Sequence, residues 1–321
     1  MSGCLKASDM LQNLCAVLHH AANRIGKLRN LGFHPWLLVA LVPFVCLCAG
    51  SAYALVWYHR FYHHVTPQEL SHEVKHSSLR ATIHGSLPVT LQVYQQENAS
   101  NQTLVLFTSG DGGWSPFSAD IAAHIATTGK TVVGFDVKDY LVHVANSQKP
   151  ISAEELGQDY RAIAQVSAAQ PGVDSKARLI LAGWSLGAGY SVLVASQPQF
   201  VDRVDRVVAI SPPTYNELAW KPTDALIYFT HGTPREKVFD ARQYVRKLDL
   251  TPLFIINATD DDTSPLNEAK EIFEAAPASK HLYTVKANGH HFEGGEAEFY
   301  RDLDNGLSLR TTESNSLVRA N

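Results

Sequence analysis

Six short apolar runs, separated by stretches of helical period, restrict the folds open to this chain more than any other feature. They read TLVLFTS (103–109), TVVGFDV (131–137), ARLILAGW (177–184), VDRVVAI (204–210), PLFIINAT (252–259) and HLYTVKA (281–287). Near-continuous apolarity over so few residues marks strands buried on both faces, as in a parallel sheet. The stretches between and after them, 115–128, 152–169, 186–197, 235–248, 265–276 and 294–304, read as helices. Strand and helix in alternation predict one doubly wound α/β domain, a mostly parallel sheet with helices on both faces, over 78–305. Ahead of it LRATIHG and VTLQVYQ alternate apolar and polar residues and predict a half-exposed hairpin. KPTDALIYFTHGT (221–233) predicts an extra strand or insertion, and 306–321 a polar tail.

The N-terminus follows different rules. From Asn30 to His59 there is no Asp, Glu, Lys or Arg, and residues 35–58 are long and apolar enough to form a transmembrane helix, with Trp36, Trp57 and Tyr58 at its ends. Lys6, Arg24, Lys27 and Arg29 precede it against a single acid, Asp9, whereas only Arg60 follows closely. This bias predicts a cytoplasmic N-terminus and places everything after the linker 59–77 across the membrane. The competing reading is a signal peptide cleaved at Ala52-Tyr53-Ala54, although the region before the apolar run is long for one. Within 1–34, Leu11, Leu14, Cys15, Leu18, Ala22, Ile25 and Leu28 recur at amphipathic spacing, suited to the cytoplasmic leaflet, to a partner, or to a helical extension without function. All four cysteines lie in the first 48 residues, so they do not locate the compartment of the domain. A net charge of −4 without basic blocks argues against nucleic acid.

The chemistry centres on Gly183-Trp184-Ser185-Leu186-Gly187. A chain of this length contains a G-x-S-x-G by chance roughly one time in ten. Here, however, the motif closes a buried strand and opens a helix, the context of a nucleophile elbow. A serine nucleophile needs a base, and the base needs a carboxylate to orient it. In α/β-hydrolases these follow in the order Ser, Asp, His, on loops after later strands. TDDDTSP follows the strand at 252–259 and NGHHFEGG the strand at 281–287. Asp261 is the favoured acid, four residues before Pro265, with Asp260 and Asp262 as alternatives; His290 is the favoured base, with His291 packed beside it. The oxyanion donors are expected from the backbone of Leu186 and, in the loop SGDGGW (109–114), of Asp111 and Gly112. No metal or nucleotide motif occurs, so neither a metal nor a cofactor is expected.

FTSGDGGW, VVGFDVKDYL, GWSLGAG and GHHFEGG together resemble the VirJ family of bacterial virulence proteins, which also forms the C-terminal part of AcvB, over roughly residues 100–300. The resemblance implies an α/β-hydrolase domain on the outer side of the inner membrane and a link with type IV secretion. For AcvB-like members it implies hydrolysis of aminoacyl-phosphatidylglycerol, chiefly the lysyl form. It also implies Ser185 as nucleophile, His290 as base, an acid within 260–262, and Asp111 to Gly113 near the oxyanion. The chain departs from the family pattern at Gly189, where the family carries an acid, and in having one hydrolase domain behind an anchor. The expectation is a membrane-tethered periplasmic serine esterase acting on a phospholipid or other ester at the membrane surface. General lipases or carboxylesterases come next, and a periplasmic adaptor or chaperone on a hydrolase scaffold is the reading from another class.

Overall fold

The computed structural model describes residues 74–96, 102–146, 151–174, 176–219, 238–249, 251–277 and 279–308. The segments expected at 1–34 and 35–58, the insertion at 221–233 and most of the linker and tail lie outside these residues. Among the described residues no helix is long and apolar enough to cross a membrane.

Eight strands form one sheet: β1 (Val74–Ile83), β2 (Leu87–Gln96), β3 (Thr103–Thr108), β4 (Thr131–Phe135), β5 (Arg178–Trp184), β6 (Val204–Ile210), β9 (Leu253–Asp260) and β10 (Lys280–Asn288). Their spatial order is β1-β2-β4-β3-β5-β6-β9-β10. Strand β2 runs antiparallel to β1 and β4, and every other pairing is parallel. A separate ribbon pairs β7 (Tyr215–Glu217) with β8 (Val238–Asp240). The helices are α1 (Pro116–Thr127), α2 (Val137–Asn146), α3 (Ala153–Ala168), α4 (Leu186–Ala195), α5 (Ala241–Val245), α6 (Leu266–Ala275) and α7 (Glu296–Ser308).

Successive strand residues face opposite layers, which explains the continuous apolar runs. Leu104, Leu106 and Leu181 join a core with α2 to α6, while Val105, Phe107, Ile180 and Ala182 join one with α1 and α7. Both layers exclude water, so the central strands carry apolar side chains on each face.

The departures from expectation have local causes. Strand β1 starts at Val74, inside the expected linker, because a polar stretch pairs in register from Val74 against Gln96. The strand expected over 131–137 stops at Phe135: Asp136 caps the next turn through Lys138 N–H, and Val137, Tyr140, Leu141 and Val144 bury one face of the unexpected helix α2. In place of one helix over 235–248, β8 precedes a five-residue α5, because the Asp240 side chain accepts Arg242 N–H and fixes the helix start there. Strand β10, expected to be buried on both faces, alternates burial and exposure because it ends the sheet and has only β9 as neighbour. Helix α7 continues to Ser308, beyond the expected domain end.

Strand β3 lies between β4 and β5, and the helices that follow β3 and β5 pack on opposite faces. Chains leaving in opposite directions open a crevice at the carboxyl ends of these strands, where open α/β sheets place their ligand sites.

Candidate active site

Ser185 stands at that crevice, between the end of β5 and the start of α4. Its backbone angles, φ 56° and ψ −125°, are unfavourable for a residue with a Cβ and cost of order 1–3 kcal/mol. The surroundings enforce them. Ser185 N–H donates to the Ile210 carbonyl at 2.8 Å, and all of α4 is buried. The neighbouring glycines leave no room for side chains. A Cβ on Gly183 would stand 2.2 Å from the Gly187 carbonyl oxygen, and one on Gly187 would stand 2.2 Å from that of Thr108. The sharp turn therefore depends on backbone packed directly against backbone.

Asp261 follows β9, with its side chain completely shielded from solvent. Its Oδ1 accepts Thr263 N–H at 3.0 Å and Ser264 N–H at 2.8 Å. His290 Nδ1 lies 2.9 Å from Oδ2 and 3.0 Å from Oδ1 of the same carboxylate. Because a carboxylate only accepts, the proton of the neutral imidazole belongs on Nδ1 and the lone pair on Nε2. That Nε2 is buried and has no hydrogen-bond partner. Burial tends to raise the Asp261 carboxyl, but the hydrogen bond and charge of His290, aided by Ser264 N–H, outweigh it and hold the group below its ordinary value. Asp260 and Asp262 are both exposed. His291 packs instead among rings, 5.0 Å from Trp184 and 5.1 Å from Phe117 between centroids.

Trp184 joins the two halves of the site. Its indole N–H donates to the His290 carbonyl at 3.2 Å, and the Trp184 and His290 ring centroids stand 5.0 Å apart. Gly289 N–H in turn donates to the Asp260 carbonyl at 2.9 Å, tying the histidine loop to the acid loop. Asp261 and His290 thus pair at the carboxyl ends of the adjacent strands β9 and β10, and Ser185 stands at the carboxyl end of β5 in the same sheet.

The glycine loop closes the crevice from the β3 side. Gly113 N–H donates to the Gly110 carbonyl at 3.0 Å, so Asp111 and Gly112 form the tip of a tight turn. Gly110 lies against the elbow: a Cβ there would be 3.1 Å from the Trp184 ring and 3.3 Å from Ser185 Cβ. Leu186, the first residue of α4, contributes one of the initial N–H groups that lack an intrahelical acceptor.

Asp136, which the sequence reading did not single out, holds this loop. Its carboxylate accepts Trp114 N–H at 3.0 Å and Lys138 N–H at 2.9 Å. Ser109 N–H donates to the Phe135 carbonyl, and Ser109 Oγ accepts Val137 N–H, fastening the loop to the end of β4. An acid at the end of a buried strand was the available signal. Burial raises the Asp136 carboxyl, with the two N–H groups acting in the other direction.

Gly189 has a specific occupant beside it. A Cβ there would fall 1.9 Å from Asn216 Oδ1, and Asn216, the middle residue of β7, is itself buried, with its amide donating to the Pro213 carbonyl. An acid at 189 therefore cannot coexist with this placement of Asn216. Among the described residues no cluster of His, Cys, Asp or Glu is disposed to hold a metal ion.

Solved structures with the same architecture include an esterase domain from a Rhodothermus marinus protein, at 17% identity and TM-score 0.51, covering 73% of this chain and 97% of that one. A dienelactone hydrolase from Anabaena variabilis has 15% identity and TM-score 0.54, with coverage of 74% and 100%. An esterase from Pyrococcus furiosus has 18% identity and TM-score 0.53, with coverage of 76% and 95%. At these identities the likeness establishes the α/β-hydrolase-like fold with a mostly parallel central sheet. No curated protein matches the sequence significantly. The family model described as bacterial virulence protein (VirJ) matches residues 102–308, which include the elbow, the acid loop, the histidine loop and the glycine turn, and the chain therefore belongs to the VirJ family.

Proposed function

We propose that the protein is a serine hydrolase of carboxylic esters. The observation that carries this reading is the Asp261–His290 pair, with its second imidazole nitrogen buried and uncommitted, at the carboxyl edge that also bears the strained Ser185. Ser185 Oγ attacks the ester carbonyl, and His290 Nε2 removes the hydroxyl proton and returns it to the leaving alcohol. Asp261 fixes the ring orientation and stabilises the imidazolium. The backbone N–H groups of Leu186 and of Asp111 or Gly112 receive the oxyanion. Water then repeats the sequence on the acyl-serine. The solved esterases and hydrolases of like fold support the reaction class.

The proposed substrate is the aminoacyl ester of aminoacyl-phosphatidylglycerol, as expected for a relative of AcvB. An apolar segment at 35–58 would hold the domain at the outer face of the inner membrane, confining it to the plane of a lipid substrate and raising the effective concentration. A role in virulence alongside type IV secretion belongs to the same reading.

A fluorophosphonate probe is expected to label the full-length protein, and Ser185→Ala to abolish labelling. Absence of labelling in the wild type would leave the non-catalytic adaptor as the better account. Aminoacyl-phosphatidylglycerol should accumulate in a deletion strain; an unchanged lipid profile refutes the substrate. Reporter fusions after residue 70 should report the periplasm, and cytoplasmic activity overturns the orientation.

A further inference from the structure

Buried polar atoms in folded proteins are almost always paired. Among the described residues six buried side-chain atoms have no hydrogen-bond partner, and they fall close together along the sheet edge. Ser211, Thr214 and Asn216 follow β6, Asn257 and Ser264 lie on β9 and its loop, and the sixth atom is His290 Nε2. Ser211 stands where these segments meet. It follows Ile210, which pairs with Ile256 of β9, so Ser211 lies beside Asn257. The Ile210 carbonyl accepts Ser185 N–H and Ser211 N–H donates to the Ile256 carbonyl, both at 2.8 Å. One peptide unit therefore ties the elbow to the acid strand. The Asn257 amide donates to the Ser264 carbonyl at 3.1 Å and Ser264 N–H donates to Asp261, which folds the acid loop back towards Ser211.

Ser211 bears two costs. It is fully buried with its hydroxyl unmatched, and its φ of 47° is one that a Cβ resists. Glycine would avoid both. A strained residue of this kind points to use of its side chain, and the group on which the Ser211 hydroxyl acts is the Asp261 carboxyl, which it helps hold below its ordinary value. Oδ1 of that shielded carboxylate takes two loop N–H groups and Oδ2 faces His290, which leaves room on Oδ2 for a further donor.

The geometry points to Ser211 as a positioning residue that donates its hydroxyl to Asp261 and so fixes the carboxylate against His290. This rests on the hydrolase reading above, in which Asp261 orients the base. A hydroxyl on the carboxylate also draws charge from the oxygens that face His290 Nδ1. The ring is then oriented without being held as a lasting imidazolium, and Nε2 stays free to take the Ser185 proton. The other titratable groups around Ser211 and the pair are Glu268, which accepts Thr214 N–H, the exposed Asp260 and Asp262, His291 with its ring 6.1 Å from that of His290, and Asp111, whose field reaches His290. Substitution of Ser211 changes none of them.

The test follows the His290 imidazole of the full-length protein in detergent by NMR, its resonance identified by loss in His290→Gln, alongside the pH dependence of fluorophosphonate labelling. Ser211→Ala removes the hydroxyl and keeps the Cβ, whereas Ser211→Gly removes both and relieves the φ. In both variants the His290 midpoint should rise by about half a pH unit, because the imidazolium then faces a carboxylate of undiminished charge, and the labelling midpoint should rise with it. A fall in both would mean that Asp261 swings away from His290 once a prop is gone, a purely structural role that overturns the proposal. An unchanged midpoint, or a rise in one variant only, overturns it too, and the hydrolase reading stands as long as Ser185 is labelled. If the wild type is not labelled but the NMR midpoint rises in both variants, Ser211 keeps its place on Asp261 and the hydrolase reading fails alone.

Discussion

The elbow and the acid–histidine pair lie side by side on one sheet edge, yet they are held by opposite means. At the elbow, position is set by exclusion: Gly183 and Gly187 bring backbone within van der Waals contact of backbone, and Ser185 takes a conformation that a side chain resists. At the pair, position is set by hydrogen bonds, from Thr263 and Ser264 N–H and from His290 Nδ1–H to the Asp261 carboxylate. Steric walls tolerate no added atom but need no particular chemistry. Hydrogen bonds tolerate a change of shape but not the loss of a donor or acceptor. The first half of the site should therefore fail by unfolding, and the second by losing chemistry within an intact fold.

The largest effect is expected at the pair. Asp261→Asn keeps the volume but turns an obligate acceptor into a group that can present an amide to His290, favouring the wrong tautomer. Its kcat on any ester substrate should fall about 10⁴-fold, with circular dichroism unchanged. A fall of less than about tenfold would mean that Asp261 does not orient the base.

Next comes the elbow. Gly187→Ala places a methyl against the Thr108 carbonyl, and neither wall is a side chain that can move. A loss of about 3 kcal/mol or more in denaturant unfolding, or no soluble protein, is expected. Gly189→Ala sharpens the contrast, because its obstacle is the Asn216 side chain. Combining it with Asn216→Ser should recover most of the lost stability, whereas no side-chain substitution should rescue Gly187→Ala.

This division also explains what could be read in advance. Steric and hydrophobic rules are periodic or local, so they leave a signature in sequence: the buried strands, the glycines of the elbow and the acid before Pro265 all follow from spacing. Helix α2 carried its own signal in Val137, Tyr140, Leu141 and Val144, but Val137 was absorbed into the preceding strand. Contacts between distant segments have no such signature. Nothing in KDYLV or in HG announces that the Asp159 carboxylate accepts Tyr140 O–H at 2.7 Å and lies against His84 of the β1–β2 turn. Likewise the partner of Gly189 is set by Asn216, twenty-seven residues later in the chain, where only a three-residue strand marks the place.

A smaller effect separates strain from function within the elbow itself. Ser185 makes no capping hydrogen bond with its side chain, so glycine there loses no cap and relieves the unfavourable φ. Ser185→Gly should raise unfolding free energy by about 1 kcal/mol, less the greater flexibility of the unfolded chain, while abolishing fluorophosphonate labelling. Destabilisation instead would mean that the serine hydroxyl holds the turn.

The smallest effect is a matter of sign, and it distinguishes two acids of the same site. Asp261 is held below its ordinary value, so its charge contributes stability that is present above the unfolded-state pKa, about 4, and is lost as pH falls through the folded-state value. Asp111 is raised, chiefly by desolvation, so its contribution is full below about pH 4 and is lost as pH rises through its folded value; above that its ionised carboxylate costs stability. Replacing each by Asn should therefore act in opposite directions at pH 7. Asp261→Asn lowers Tm there, and the deficit shrinks in acid. Asp111→Asn raises Tm by about 1–2 °C at pH 7, and the gain vanishes below about pH 4, where the wild-type carboxyl is already neutral. Thermal unfolding followed across that range decides it. A gain for Asp111→Asn that stays constant with pH would trace to packing of the turn, and a loss at pH 7 would mean that His290 and the backbone N–H groups of the turn stabilise the carboxylate by more than its desolvation costs.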